Sequence, residues 1–336
     1  MCPTVDFAAT DFPSSYAHLN TPGTIGLDCS RLDLFRCMIS LASQRPFGFS
    51  RIREIGFFRA ISFGYVDPLL FTLNHCAVND GQLGVGPLFA TMTRSEKRPV
   101  SQRIGEAFAK LYSESRLDIA RLFVVEAARA SAALTVTYAD PGLVSPKEPD
   151  LIGMSKSGDW HVIEAKGSSR FENRSSVYTR GKKQATNLAT IDGMIPATRS
   201  VCMTFLDVMP FTTMLRDPEE RGRLDVSLNR QVFDQFYYRG FGTLLQGRRG
   251  TYRRTSILGN EYVFERPYAG VEIGLDARVY ESLRDGRIVP GDLDLPSSVG
   301  RNVGPYALGS DGIALRATDE ALDSLIQNRS TRPFAR

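Results

Sequence analysis

Hydrophobic and polar positions alternate along this chain in a readable order. In "SQRIGEAFAKLYSE" (101–114), Ile104, Ala107, Phe108 and Leu111 recur at helical spacing behind Ser101, a candidate cap. "LDIARLFVVEAARA" (117–130) carries a second helical pattern, and β-branched "ALTVTYA" (133–139) alternates like a strand. Two apolar runs follow, 149–154 and 160–166, with "SKSGD" as the turn between them. "VYTRGKKQATNLATIDG" reads as a helix ending at Gly193, and "SVCMTFLDV" (200–208) as a strand. Further helical stretches fall near 30–44, 50–60 and 317–327. From residue 100 the predicted order is helix, strand, strand, strand, helix, strand.

The central pair of strands carries the candidate chemistry. A turn centred on Ser157 sets Asp150 opposite Glu164, where facing Cβ atoms lie about 4.5–5.5 Å apart on one side of the sheet. Lys166, two residues on, shares that side. Two facing carboxylates repel unless a cation lies between them, and oxygen ligands with open positions suit Mg²⁺ or Mn²⁺. The apolar neighbours Leu151, Ile152, Val162 and Ile163 predict a central ladder. On the following helix Gln184, Leu188 and Ile191 fall at i, i+4 and i+7, which turns the Gln184 amide inward, toward an active site or toward backbone groups in the core.

Composition narrows the classes. The 336 residues are 42% apolar and 23% charged, enough for a sizeable core. No run of 18 apolar residues predicts a membrane span, and "MCPTVDFAATDF" lacks the features of a secretory leader. Five scattered cysteines without CxxC spacing suit reduced thiols in the cytoplasm better than a disulfide framework or a zinc site. "GMSKSG" is no nucleophile elbow, and a P-loop is absent. Net charge is only +4, so its distribution matters more than its total. The segment 236–256 holds Arg239, Arg248, Arg249, Arg253 and Arg254, no acid, and Phe236, Tyr237, Tyr238, Phe241 and Tyr252. It reads either as a grip on phosphates with aromatic stacking, or as a solvated basic hairpin with its tyrosines packed beneath.

Asp150, then Glu164-x-Lys166, set in that order of elements, resembles the PD-(D/E)xK nuclease superfamily over about residues 100–208. The resemblance implies an α/β (α+β mixed) fold with a restriction-endonuclease-like core, a central mixed sheet flanked by helices. That core would span 99–210, with an N-terminal accessory region (1–98) and a C-terminal region (211–336) that binds substrate or packs on the core. It implies that Asp150, Glu164 and the carbonyl of Ala165 hold Mg²⁺ or Mn²⁺, and that Lys166 is the catalytic lysine. Glu106 matches the acid that many members carry on the first core helix, with Glu126 as the alternative. Gln184, with Lys183 beside it, matches the polar position on the later helix. The expected activity is endonucleolytic cleavage, of DNA before RNA, in a defence, restriction or repair setting. The alternative is a non-catalytic nucleic-acid-binding or assembly module. No membrane partner is expected; a homodimer or a place in a larger complex fits the resemblance.

Overall fold

A computed structural model describes residues 2–45, 72–138, 147–217, 224–241, 252–268, 270–287 and 303–318, with isolated positions between 289 and 296 and the stretch 320–322. The predicted helix near 50–60, and Arg248 and Arg249, lie outside the described residues.

The chain opens with β1 (Thr4–Thr10), β2 (Ile25–Asp28), α1 (Arg31–Ala42), β3 (Cys76–Asn79), β4 (Gln82–Val85) and α2 (Pro87–Thr91). Next come α3 (Arg94–Arg116), β5 (Leu122–Val124), α4 (Val125–Ala130), β6 (Leu134–Tyr138), β7 (Leu151–Met154) and β8 (Trp160–Ser168). They are followed by α5 (Arg174–Ala185), β9 (Leu188–Ile191), β10 (Thr198–Phe205), β11 (Thr212–Arg216), β12 (Leu224–Leu228) and α6 (Arg230–Tyr237). The C-terminal part adds β13 (Arg253–Ile257), β14 (Asn260–Tyr268), β15 (Val271–Asp276), α7 (Ala277–Arg284), β16 (Tyr306–Leu308) and β17 (Ile313–Ala317).

Among the described residues nine strands make one mixed sheet, ordered β3-β4-β1-β11-β10-β8-β7-β5, with β2 paired to β1. The expected mixed sheet flanked by helices is therefore present. β8 lies inside it, antiparallel to β7 and parallel to β10. Leu151 pairs with Ile163 and Met154 with Trp160, the register that the turn at Ser157 predicts. β6, β12 and β9 form a second sheet, and β13-β14-β15-β17-β16 a third.

Several predicted elements differ, each for a local reason. α3 begins at Arg94 rather than Ser101, because Glu96 accepts the Thr93 amide proton (2.7 Å) in a capping box, and the helix runs through Pro99. The helical pattern at 117–130 is split. Leu122–Val124 pair with Leu151–Gly153 as the edge strand β5, and only Val125–Ala130 is helical. β5 thus supplies the first strand of the predicted order, while the strand expected at 133–139 joins the smaller sheet through β12. The helix expected to reach Gly193 stops at Ala185. Leu188 and Ile191 belong to β9 and pair with Leu224 and Val226, so tertiary pairing overrides their helical spacing. The strand expected at 200–208 spans Thr198–Phe205. The stretch expected as helix from 317 begins as the end of β17, with helix at 320–322.

Two contacts seat the helices. A side chain at Gly167 would meet the Ser101 carbonyl oxygen at 1.7 Å, and one at Gly105 would meet the Gly167 nitrogen at 2.6 Å, so α3 rests directly on the β8 backbone. At the far side, Gln44 after α1 accepts from the Val124 amide (2.8 Å) and donates to the Leu122 carbonyl (2.9 Å), occupying backbone groups of the edge strand.

A buried charge cluster joins three parts of the chain. Arg36 on α1 forks onto Glu114 of α3 (2.6 and 3.0 Å), and Lys110 bridges Glu114 (2.8 Å) and Asp311 in the β16–β17 turn (3.1 Å). All four side chains are inaccessible to solvent. Ser40 and Tyr237 donate to the same Asp311 carboxylate, at 3.0 and 2.7 Å. Burial pushes the Asp311 carboxyl up, but Lys110 and Arg36 outweigh it and hold the group below the usual carboxylate range. Phe236, Tyr237, Tyr238 and Phe241 are all buried here or in the adjoining core, so these four aromatics of the basic segment stack on no base. All five cysteines are free thiols, four of them buried, and among the described residues no helix is long and apolar enough to cross a membrane.

Two outcomes follow. Gly167→Ala should cost about 3 kcal/mol or more, because backbone on both sides must part, while Gly23→Ala, with nothing within 4 Å, should stay within about 0.5 kcal/mol in thermal or urea unfolding. His161 is fully buried, its Nδ1 is 2.9 Å from Thr198 Oγ1, and burial lowers its pKa to about 4. The folded state therefore resists protonation that the unfolded chain accepts near pH 6.5. This contribution is complete above that pH and falls away toward pH 4, by about 3 kcal/mol at most. The stability difference between wild type and His161→Gln should shift across this window, and an unchanged difference between pH 7 and 4 would refute it.

Candidate active site

The segment before β7 delivers Asp150 to the end of the β7–β8 ladder. Its amide donates to Glu164 Oε2 (3.1 Å), its Oδ2 accepts from the Ala165 amide (3.1 Å), and its carbonyl accepts from Val125 (3.0 Å). Asn187 holds the Lys147 carbonyl at 2.8 Å, which fixes the approach to this segment. Asp150 is thus opposite Glu164, as the predicted register requires.

Glu164 is 0% exposed beneath α5, where the absence of a side chain at Gly181 lets the helix rest on β10: a Cβ there would meet Val201 Cγ1 at 2.5 Å, with Glu164 Cγ at an ordinary 3.6 Å. Burial, then the Asp150 charge, push the Glu164 carboxyl up to about 8, against the pull of Lys166. Lys166 shares the face. Its ammonium contacts Glu164 Oε1 and lies 3.6 Å from Asp150 Oδ2, between the two acids. A positive charge is already needed at this point, and Lys166 supplies one.

A cleft of about 550 Å³ opens over Asp150. Glu106 and Gln102 of α3, Glu126 and Arg129 of α4, Gln184 of α5, and Arg45 line it, with Lys147 and Glu148 from the segment that leads to Asp150. Glu106 is clamped by Arg45 (3.2 Å) and by the Gln102 amide (3.1 Å), and Arg129 pairs with Glu148. Burial raises the Glu106 carboxyl above its ordinary range, Arg45 and Gln102 oppose this, and Asp150 adds to it, so the two acids share one electrostatic environment.

Glu106, Glu126, Asp150 and Gln184 thus come from three helices and a strand end to line one cleft, and Asp150 links that lining to Glu164, Ala165 and Lys166 behind it. Gln184 lines the cleft half-buried, but not through the stripe with Leu188 and Ile191, which are in β9. Lys183 is exposed on α5 beside it. Arg239 is exposed after α6, and Arg253 and Arg254 lie on β13, outside the cleft lining. The cleft also contains side chains that sequence reasoning missed. Gln102 falls one turn before Glu106, so the helical spacing held a signal for it. Arg45 is 61 positions from Glu106 and directly follows Gln44, which docks on β5.

Among the described residues no group of three or more His, Cys, Asp or Glu side chains is arranged to hold a metal ion. Two carboxylates with a cation already between them do suit a hard ion that takes the rest of its shell from a carbonyl, water and phosphate oxygens, as Mg²⁺ does. Compared with protein-family models, with curated proteins and with solved structures, the chain finds no match in any of the three.

Proposed function

We propose that this protein is a divalent-metal-dependent endonuclease with a PD-(D/E)xK active site, hydrolysing phosphodiester bonds in DNA in preference to RNA. One observation carries the reading: Glu164 and Lys166 meet Asp150 at the end of the β7–β8 ladder, and Asp150 lines a cleft together with Glu106 and Gln184. Core strands β5, β7, β8 and β10, with α3 before them and α5 between the last two, supply the order of elements that the resemblance calls for. The proposed setting is the cytoplasm, where the five thiols stay reduced. A role in defence, restriction or repair, alone or in a larger complex, is part of the same proposal.

Hydrolysis forms a bond from a water oxygen to phosphorus and breaks one P–O ester bond, the leaving oxygen taking up a proton. Asp150 and Glu164, with the Ala165 carbonyl, would hold Mg²⁺ or Mn²⁺, which when bound polarises a phosphoryl oxygen and lowers the pKa of a water. Lys166 would turn its ammonium from the carboxylates to the negative charge that builds on the phosphate. Gln184 donates from the wall, orienting either the phosphate or the water. Glu106 is held in place by Arg45 and Gln102, ready to accept a proton or to add a carboxylate to the set.

A second reading, a non-catalytic nucleic-acid-binding module, draws support from the same lysine, which as it stands satisfies both acids. Cleavage of supercoiled, linear, single-stranded and RNA substrates in Mg²⁺, Mn²⁺ or EDTA separates the two. Asp150→Ala and Lys166→Ala should each reduce metal-dependent cutting by about 10²-fold or more, and EDTA should abolish it. Undiminished cutting by Asp150→Ala would remove the proposal. A wild type that neither cuts nor binds metal by calorimetry would leave the binding module.

A further inference from the structure

The third sheet has two unlike faces. Val271, Ile273, Leu275, Ile313 and Leu315 join the main core, whereas Ile257, Tyr262, Phe264, Leu308 and Ala314 form a small cluster of their own. On this second face Glu272 pairs with Arg316, which pairs in turn with Tyr306, and Arg253 pairs with Phe264. Three guanidinium groups crowd around the one Glu272 carboxylate: Arg266 at 2.6 Å, Arg316 at 3.1 Å and Arg253 at 3.7 Å. Glu272 is 5% exposed, whereas the arginines are 60%, 36% and 45% exposed, so the acid lies beneath and the cations above.

Like charges this close repel, and among the described residues a single carboxylate answers three of them. Two of the arginines are also braced. Arg253 donates to the Tyr306 hydroxyl (3.2 Å) and to Thr255 (3.1 Å), and the Arg316 guanidinium lies 6.0 Å from the Tyr306 ring centre. Guanidinium groups positioned in advance and still partly exposed match the geometry of phosphate oxygens. Arg254, the neighbour in sequence, differs: Glu261 and Glu281 pair with it at 2.8 and 3.0 Å.

We propose that Arg253, Arg266 and Arg316 form a phosphate-binding patch that grips the backbone of a nucleic-acid strand, away from the residues lining the cleft. The proposal rests on the reading that the protein acts on nucleic acid. It divides the labour: the patch holds the backbone without reading sequence, and the cleft carries the chemistry.

The experiment is binding of a fluorescein-labelled DNA duplex to the intact protein in EDTA, followed by anisotropy across a salt titration. For Arg253→Gln/Arg266→Gln/Arg316→Gln the slope of log affinity against log salt should fall by about 0.9 for each phosphate no longer neutralised, roughly 2 to 3 in all. Arg266→Gln, the most exposed of the three, should lower the slope by about 0.9 alone, which covers a triple variant that fails to fold. Glu272→Gln should bind more tightly than wild type, an outcome that a merely stabilising ion-pair network does not give, and Arg254→Gln should match wild type. Wild-type affinity and slope in the triple and single variants would overturn the patch. If Asp150→Ala then still abolished cleavage, the nuclease reading would survive that result. A wild type that binds neither DNA nor RNA at low salt would overturn both.

Discussion

The backbone-to-backbone contact between Gly105 and Gly167 sets the distances on which the candidate site depends. With no side chain on either residue, α3 lies against β8 one residue past Lys166, and Glu106 follows Gly105 directly into the cleft. Gly181 plays the matching part for α5, letting it pack against Val201 of β10 beside Glu164. A bulkier residue at any of these positions would move a carboxylate or an amide relative to the strand end, and close positioning is what such chemistry needs.

Electrostatics then decides how the site is held. Asp150 and Glu164 each accept a backbone amide and share one ammonium, so both carboxylates have fixed orientations. Above them the cleft alternates in sign, with Arg45 on Glu106 and Arg129 on Glu148. On the proposed reading, a phosphate entering the cleft would compete for these cations.

Much of this is legible in the sequence, and the failures have identifiable causes. The turn at Ser157 and two apolar runs suffice to give the β7–β8 register, because a hairpin is local and its side-chain period is strict. Helical spacing assigns Gln184 to the site through a stripe that does not exist, yet Gln184 lines the cleft, because α5 persists for one residue beyond it before β9 begins. β5 escapes a reading by pattern because three residues are too few to alternate, and its strand character comes from pairing with β7. Arg45 and the charge cluster are out of reach, since both depend on segments that meet only in the folded chain. The aromatics at 236–238 show another limit: next to arginines they read either as a stacking surface or as side chains packed beneath a hairpin, and in the fold all three are buried, with both tyrosine hydroxyls on Asp311.

That cluster has a bearing on synthesis. Asp311 and Ser40 are separated by 271 positions, so Arg36 and Lys110 leave the ribosome long before Asp311 does. In the interval Glu114 alone offsets two cations at the seam between α1 and α3, and an uncompensated buried charge is costly. The seam between the two helices that bring Arg45 and Glu106 to the cleft is therefore charge-balanced only once Asp311 has been made. Completion of the cleft is in this way tied to a turn of the C-terminal sheet that contributes none of the described residues lining the cleft.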